Sequence, residues 1–247
     1  MSKDPVRDEK KRKRPRIEGN VECDVVISDS CDNGSLRILC AEWGFDELLT
    51  ENLLKMGITS FFPSQIRLFS TVFGNRVPGF RYRRDICFSS PTGSGKTLAF
   101  ALPVLNSLIK FRSRQIRAII VEPNRSLVDQ VHRVIQKLVD GSRLQVEILS
   151  ENAQVSSDII ICTPDSLSDC LETSAISFSK LEFLVIDEAD RLLDHDPKVW
   201  LKPLLRTSRP QKLIFSASMS IDSDRLHAVQ IVSPLKLNVD FDGHDKV

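Results

Sequence analysis

Short runs of apolar, largely β-branched residues fix what this chain can fold into. They are Ile86-Cys87-Phe88, Ala118-Ile119-Ile120-Val121, Val146-Glu147-Ile148-Leu149, Ile159-Ile160-Ile161-Cys162, Phe183-Leu184-Val185-Ile186 and Leu213-Ile214-Phe215. Between them apolar residues recur at helical spacing, as in Leu127, Val128, Val131, Val134, Ile135 and Leu138. Strands that are apolar on both faces and alternate with helices build a parallel sheet with right-handed crossovers. The fold class expected is therefore α/β, a doubly wound parallel sheet. Such sheets bind ligands beyond the carboxyl ends of their strands.

The chemically loaded residues fall at those ends. Behind Ile86-Cys87-Phe88 comes Ser89-Ser90-Pro91-Thr92-Gly93-Ser94-Gly95-Lys96-Thr97, and a helical run follows. A strand, a glycine-containing turn and a helix N-terminus together make a phosphate cradle. Ser90, Thr92, Gly93, Ser94 and Gly95 would turn backbone amides onto an anion, Lys96 would add a mobile positive charge, and the Thr97 hydroxyl would ligate Mg²⁺. Ser90 stands where the general pattern has glycine, so a plain Gly/Ser turn also fits this stretch taken alone.

Asp187-Glu188-Ala189-Asp190 follows the run ending at Ile186. A carboxylate there can hold Mg²⁺ through water while its neighbour orients or deprotonates an attacking water. An acidic first turn of a helix is the other use of such residues. Ser216-Ala217-Ser218 follows the last run. Its hydroxyls could bridge the acidic tetrad to whatever sits above the sheet, or simply make a strand-end turn.

With 247 residues and 41% hydrophobic content the chain can bury a sizeable core. Its first sixteen residues carry eight Lys or Arg against three Asp or Glu, whereas the whole chain is only +1. The body is therefore mildly acidic, and any nucleic-acid contact must come from a local cluster. Lys10-Lys11-Arg12-Lys13-Arg14-Pro15-Arg16 is too charged to fold alone; it suits a nuclear import signal, a nucleic-acid tail or a solvated end. The six cysteines show no CxxC pair, and Cys23, Cys31 and Cys40 lack zinc-site spacing. Cys87 and Cys162 lie in apolar runs, as small buried hydrophobes in a reduced intracellular compartment do. No uncharged stretch is long enough to span a bilayer, and no apolar signal region opens the chain.

These features divide the chain into a disordered basic tail over residues 1–41, a domain over residues 42–240 and a short tail over residues 241–247. Within the domain, periodicity over residues 46–55 predicts a helix stopped at Gly57, and Phe61-Phe62-Pro63-Ser64-Gln65 opens a second. Residues 74–84 form a basic loop with Phe80 and Tyr82, either a solvated insertion or a grip on a single strand.

Taken in order, the elements resemble the N-terminal, RecA-like P-loop half of DEAD-box RNA helicases over residues 45–239. Ser90 to Thr97 matches the Walker A loop, the tetrad at 187–190 is the family's name-giving sequence, Ser216-Ala217-Ser218 resembles its Ser-Ala-Thr element, and Gln65 lies at the family spacing from Gly57. The resemblance implies an ATP-dependent RNA helicase with ATP and Mg²⁺ as cofactors. Lys96 would bind the β- and γ-phosphates, Thr97 and Asp187 would hold Mg²⁺, Glu188 would activate water, and Gln65 would make two hydrogen bonds to adenine. Asp190, Ser216 and Ser218 would couple the nucleotide to RNA. Pro123-Asn124-Arg125 resembles the family's Pro-Thr-Arg element and Thr163-Pro164 the start of its Thr-Pro-Gly-Arg element, both of which touch the RNA backbone without reading sequence.

The departures are concentrated on the RNA side. Asn124 replaces Thr, Ser126 replaces Glu, Asp165-Ser166 replaces Gly-Arg, and no Gly-Gly turn lies between Leu144 and Asp158. An arginine lost and an aspartate gained near RNA phosphates should weaken binding. In the adenine motif Phe61 stands where the family has proline, and Trp43 or Phe45 approximates its stacking aromatic. Residues 74–84 and Phe62-Pro63-Ser64-Gln65 are similar to a nucleolar branch serving large-subunit ribosome assembly, which implies a nucleolar protein on a pre-ribosomal particle. The family's second RecA-like domain, with its arginine finger, would begin near Val247. A finger is worth about 10³ to 10⁵ in rate, so the chain alone is expected to bind Mg-ATP, turn it over barely and unwind nothing. A catalytically weak nucleotide- or RNA-binding module is the alternative.

Overall fold

The computed structural model describes residues 36–74, 84–110, 113, 115–150, 157–173, 176–193, 197–217, 226 and 228–239. Seven strands form one sheet: β1 (Ile86–Ser89), β2 (Ala118–Val121), β3 (Val146–Ile148), β4 (Ile159–Cys162), β5 (Phe183–Ile186), β6 (Gln211–Ser216) and β7 (Leu235–Asn238). Their order across the sheet is β3-β4-β2-β5-β6-β1-β7, and every pairing is parallel. The expected doubly wound sheet is thus the observed one.

β1, β2, β4, β5 and β6 alternate their apolar side chains between two layers. Phe88, Ile120, Ile161, Val185 and Phe215 face one core, shared with helices α1 (Leu36–Trp43), α2 (Glu47–Lys55), α3 (Pro63–Phe69), α4 (Lys96–Leu108) and α5 (Arg125–Leu138). Cys87, Val121, Cys162, Ile186 and Ile214 face the other, shared with α6 (Pro164–Thr173), α7 (Ala189–Leu192) and α8 (Lys198–Thr207). Burial on both faces is why these strands read as unbroken apolar runs.

Helix α2 starts where the periodicity places it. Asp46 caps it, its carboxylate accepting from Leu48 N at 3.0 Å. Helix α1 moves the boundary drawn at residue 41: Leu36 and Cys40 are 1% exposed and pack with Trp43 into the first core. Residues 36–41 therefore belong with the sheet, because the i, i+4, i+7 stripe of Leu36, Cys40 and Trp43 has a core to enter. Residues 1–35, the basic loop at 75–83 and the last residues from 240 onward lie outside the described residues.

Two buried ion pairs brace the sheet. Arg117 Nη2 donates to Asp158 Oδ1 at 3.0 Å and to Leu108 O at 3.0 Å, while Asp158 also accepts from Ser113 N and Gln145 N. Asp85 accepts from Lys212 N and Val232 N at 2.7 Å each and pairs with Lys212 Nζ at 3.3 Å. The second network anchors the entry of β1 between β6 and the approach to β7, and so fixes where the phosphate loop leaves the sheet.

Candidate nucleotide and RNA site

The loop after β1 is closed on itself. Lys96, the first residue of α4, donates from Nζ to Ser90 O at 2.9 Å and Pro91 O at 3.1 Å. Ser90 Oγ and Ser94 Oγ share a 2.6 Å hydrogen bond, and Ser90 N donates to Ser216 O at 3.2 Å. Gly93 and Gly95 take φ of 84° and 77°, the left-handed region that only glycine enters at little cost. Thr92 and Gly93 are exposed at the loop tip, and Thr97 is half-buried. Two of the three ammonium donors of Lys96 are thus spent on carbonyls, which phosphate oxygens would replace.

Gln65 lies directly under this loop and is 1% exposed. Its Nε2 donates to Gly95 O at 2.9 Å and its Oε1 accepts from Phe62 N at 2.9 Å. Ser64 Oγ adds a 3.3 Å bond to Ser94 O. The amide retains one N–H and one lone pair. That is what two bonds to an adenine edge need, while in this structure one bond goes to the loop at Gly95 O and the other comes from Phe62 N.

The stacking aromatic is not where the sequence suggests. Trp43 and Phe45 are 5% and 8% exposed and pack edge to face or tilted against Phe61 and Phe69 in an aromatic cluster, so neither face is open to a base. Phe62 is the exposed ring, at 54%, and lies against Gly95.

The carboxylates converge at the ends of β5 and β2. Asp187 is 7% exposed, and its Oδ1 accepts from Glu188 N at 2.8 Å. Burial pushes its carboxyl up to about 6, while the Glu188 amide and the Lys96 ammonium pull it down and the Glu188 and Asp190 carboxylates push it up. Glu188 sits at φ 45°, a strained conformation for a residue with a Cβ. Arg191 Nη1 lies 2.9 Å from its Oε2, near enough for an ion pair but not aligned as a hydrogen bond. Glu188 Oε2 and Asp190 Oδ1 are buried without hydrogen-bond partners. Ser216 is buried at the end of β6, and Ser218 lies outside the described residues.

One member of this group has no counterpart in the sequence reading. Glu122 directly follows β2, is fully buried, and neither of its oxygens has a hydrogen-bond partner. Burial first, then the Asp187 and Glu188 carboxylates, push its carboxyl up to about 9. The signal was present: an acid closes the run Ala118–Val121 just as Asp187 closes Phe183–Ile186. Orphaned buried carboxylate oxygens beneath a phosphate loop suit a divalent cation. Asp187, which follows the strand beside β2, brings a second buried carboxylate to the same sheet edge.

On the neighbouring strand ends the departures from the family pattern serve as helix caps. Asn124 caps α5, its side chain accepting from Leu127 N at 3.1 Å. Thr163 and Ser166 cap α6 reciprocally: Thr163 N donates to Ser166 Oγ at 3.1 Å, and Ser166 N to Thr163 Oγ1 at 3.4 Å. Pro164 is the first residue of that helix. Arg125, beyond Pro123, is exposed and 3.5 Å from Asp129. Arg125, Thr163 and Ser166 line a cavity of about 480 Å³ together with Asp165 and Asp169. Two carboxylates thus share this cavity with one guanidinium.

Residues 65–226 match the family model for the DEAD/DEAH box helicase. The chain belongs to the DEAD/DEAH box helicase family. Similar relatives include the ATP-dependent RNA helicase DBP6 of Vanderwaltozyma polyspora, 31% identical over 217 residues, covering 76% of this chain and 34% of that one. The ATP-dependent RNA helicase DDX51 of Danio rerio is 31% identical over 245 residues, covering 77% of this chain and 38% of its own length. The chain thus spans about a third of the length of these relatives. Among solved structures, Saccharomyces cerevisiae Dbp5 bound to RNA and ADP BeF3 superposes with a TM-score of 0.70 over 81% of this chain and 51% of that one, at 23% identity. The shared fold is the RecA-like domain of the family.

Proposed function

We propose that this domain binds Mg-ATP on its phosphate loop and acts as the ATP-binding half of an ATP-dependent RNA helicase. The observation that carries the reading is the loop after β1, where Gly93 and Gly95 take left-handed backbone and the Lys96 ammonium rests on the Ser90 and Pro91 carbonyls, with buried Asp187 at the end of β5 in the same sheet. Mg²⁺, when bound, supplies charge neutralisation between the phosphates. Lys96 exchanges its bonds to Ser90 and Pro91 for phosphate oxygens. Asp187 and Thr97 would hold the cation. Glu188 accepts a proton from the attacking water once Arg191 has moved off its carboxylate. Gln65 and exposed Phe62 meet the base. RNA runs over Pro123, Asn124, Arg125, Thr163 and Pro164, touched through its backbone.

Binding of fluorescent ATP and ADP analogues to the purified chain tests this. Lys96→Ala and Asp187→Asn should each weaken Mg-nucleotide binding at least tenfold, and wild-type affinity in either variant would sink the reading.

The acidic cavity at Asp165 and Asp169 favours a second reading, a nucleotide-binding module with little hold on RNA. Titrating single-stranded RNA in the presence of nucleotide separates the two. We place the protein in the nucleolus on a pre-ribosomal particle, a reading supported by the basic run at residues 10–16 and by Phe62-Pro63-Ser64-Gln65.

A further inference from the structure

The ends of β2 and β5 are side by side. Val121 pairs with Ile186 in the parallel ladder, and Asp187 N donates to Val121 O at 3.2 Å, so Glu122 and Asp187 are the next rung. Neighbouring strands run about 4.8 Å apart. Side chains two residues apart on a strand share a face. Ile120 and Val185 both enter the core layer that α4 covers, so Glu122 and Asp187 project toward that layer too, at the end where α4 begins with Lys96.

Glu122 has nothing to hold there. It is fully buried, and among the described residues no N–H or O–H donates to either of its oxygens. Its backbone is satisfied, the amide donating to Cys162 O at 2.9 Å. The hydroxyl of Thr163, on the strand to the other side, is engaged by Ser166 at 3.1 Å. A buried carboxylate with no donor is stable only if a cation or a proton is supplied. Among the described residues no three metal-ligating side chains converge on one point. A site made wholly of protein ligands is therefore not built, whereas Mg²⁺ ordinarily takes one or two carboxylates and fills its octahedron with water and phosphate oxygens.

We propose that Glu122 is a second carboxylate ligand of the divalent cation, and that with Asp187 it holds the cation before nucleotide arrives. The inference rests on the reading of Asp187 as a cation ligand made above. It alters the order of events: the cation is resident, and nucleotide completes its shell. The Lys96 ammonium meanwhile keeps its bonds to Ser90 O and Pro91 O.

The test uses the nucleotide-free chain and Mn²⁺ as the probe, followed by loss of the free-ion paramagnetic resonance signal, with Mg²⁺ as competitor. The wild type should bind one Mn²⁺, displaced by Mg²⁺. Glu122→Gln and Asp187→Asn should each weaken it at least tenfold. A wild type that takes up no Mn²⁺ without nucleotide, or a Glu122→Gln variant within twofold of wild type, overturns the proposal. Should Glu122→Gln fail to fold by circular dichroism, Glu122→Asp decides: a carboxylate retracted by one methylene should weaken Mn²⁺ at least threefold, and unchanged binding overturns the proposal. Fluorescent ADP binding in the same samples separates this inference from the function it rests on. Mn²⁺ sensitive to Glu122 with no nucleotide bound supports the inference and refutes the ATPase reading. Nucleotide bound with Mn²⁺ indifferent to Glu122 does the reverse.

Discussion

Gly95→Ala is the substitution whose cost is most directly set by the structure. Gly95 has φ 77°, and a Cβ built on it would overlap Gln65 Nε2, with Phe62 Cδ2 at 3.0 Å and Gln65 Cδ at 3.2 Å. The left-handed backbone costs a residue with a Cβ about 1 kcal/mol. Gln65 cannot slide away in place, because it is buried and pinned at both ends of its amide. It must rotate, giving up its bond to Gly95 O and its acceptance from Phe62 N. At about 1 kcal/mol for each hydrogen bond, the expected loss is about 3 kcal/mol in all. Urea unfolding of four proteins, wild type, Gly95→Ala, Gln65→Ala and the double variant, isolates the clash. With Gln65 truncated, Gly95→Ala should cost only the backbone part, about 1 kcal/mol, giving a coupling of about 2 kcal/mol. A Gly95→Ala cost that is equal in both backgrounds, within about 0.5 kcal/mol, would refute the reasoning.

Three further outcomes are expected. Glu122 and Asp187 have carboxyls raised to about 9 and about 6 from ordinary values of 4.5 and 3.8. The folded chain therefore holds protons that the unfolded chain releases, and stability present below about pH 4 is lost as pH rises through 6 and then 9. In metal-free buffer the Tm of the wild type should fall from pH 5 to pH 8 and that of Glu122→Gln should fall less; parallel curves would contradict this. Asp158→Ala strands the buried Arg117 guanidinium and removes an acceptor from two backbone amides, so urea unfolding should show a loss of about 3 to 5 kcal/mol. Asp165→Asn removes a carboxylate from the cavity beside Arg125 and should tighten single-stranded RNA binding a few-fold at low salt. The gain should fade as salt screens the charge, and a salt-independent change would point to altered shape instead.

The sheet was legible because both faces of its inner strands are covered, which leaves nearly uninterrupted apolar residues in β1, β2, β4 and β5. The phosphate loop, the acidic tetrad and Gln65 were legible because short local spacing carries their chemistry. What escaped depended on partners remote in sequence. Helix α1 looked patternless because its stripe is short and one of its three members is a cysteine. The pairs Arg117–Asp158 and Asp85–Lys212 join residues separated by other strands, and each partner taken alone reads as an ordinary surface charge. Trp43 and Phe45 look like base-stacking rings in the sequence because aromatic identity says nothing about whether a ring faces the core. Glu122 was passed over because a glutamate after an apolar run becomes unusual only when the strand beside it ends in aspartate.

The position of β1 has a consequence for how the domain is made. The strand that carries the phosphate loop is flanked by β6 and β7, the two strands translated last. At common translation rates it waits on the order of ten seconds for its first edge partner to leave the ribosome. Throughout that interval its apolar backbone is bare on both sides, an invitation to chaperones and to mispairing. Nascent chains arrested before Gln211 should be unable to retain a nucleotide at all, so the pocket is a feature of the finished sheet rather than of the motif that signals it.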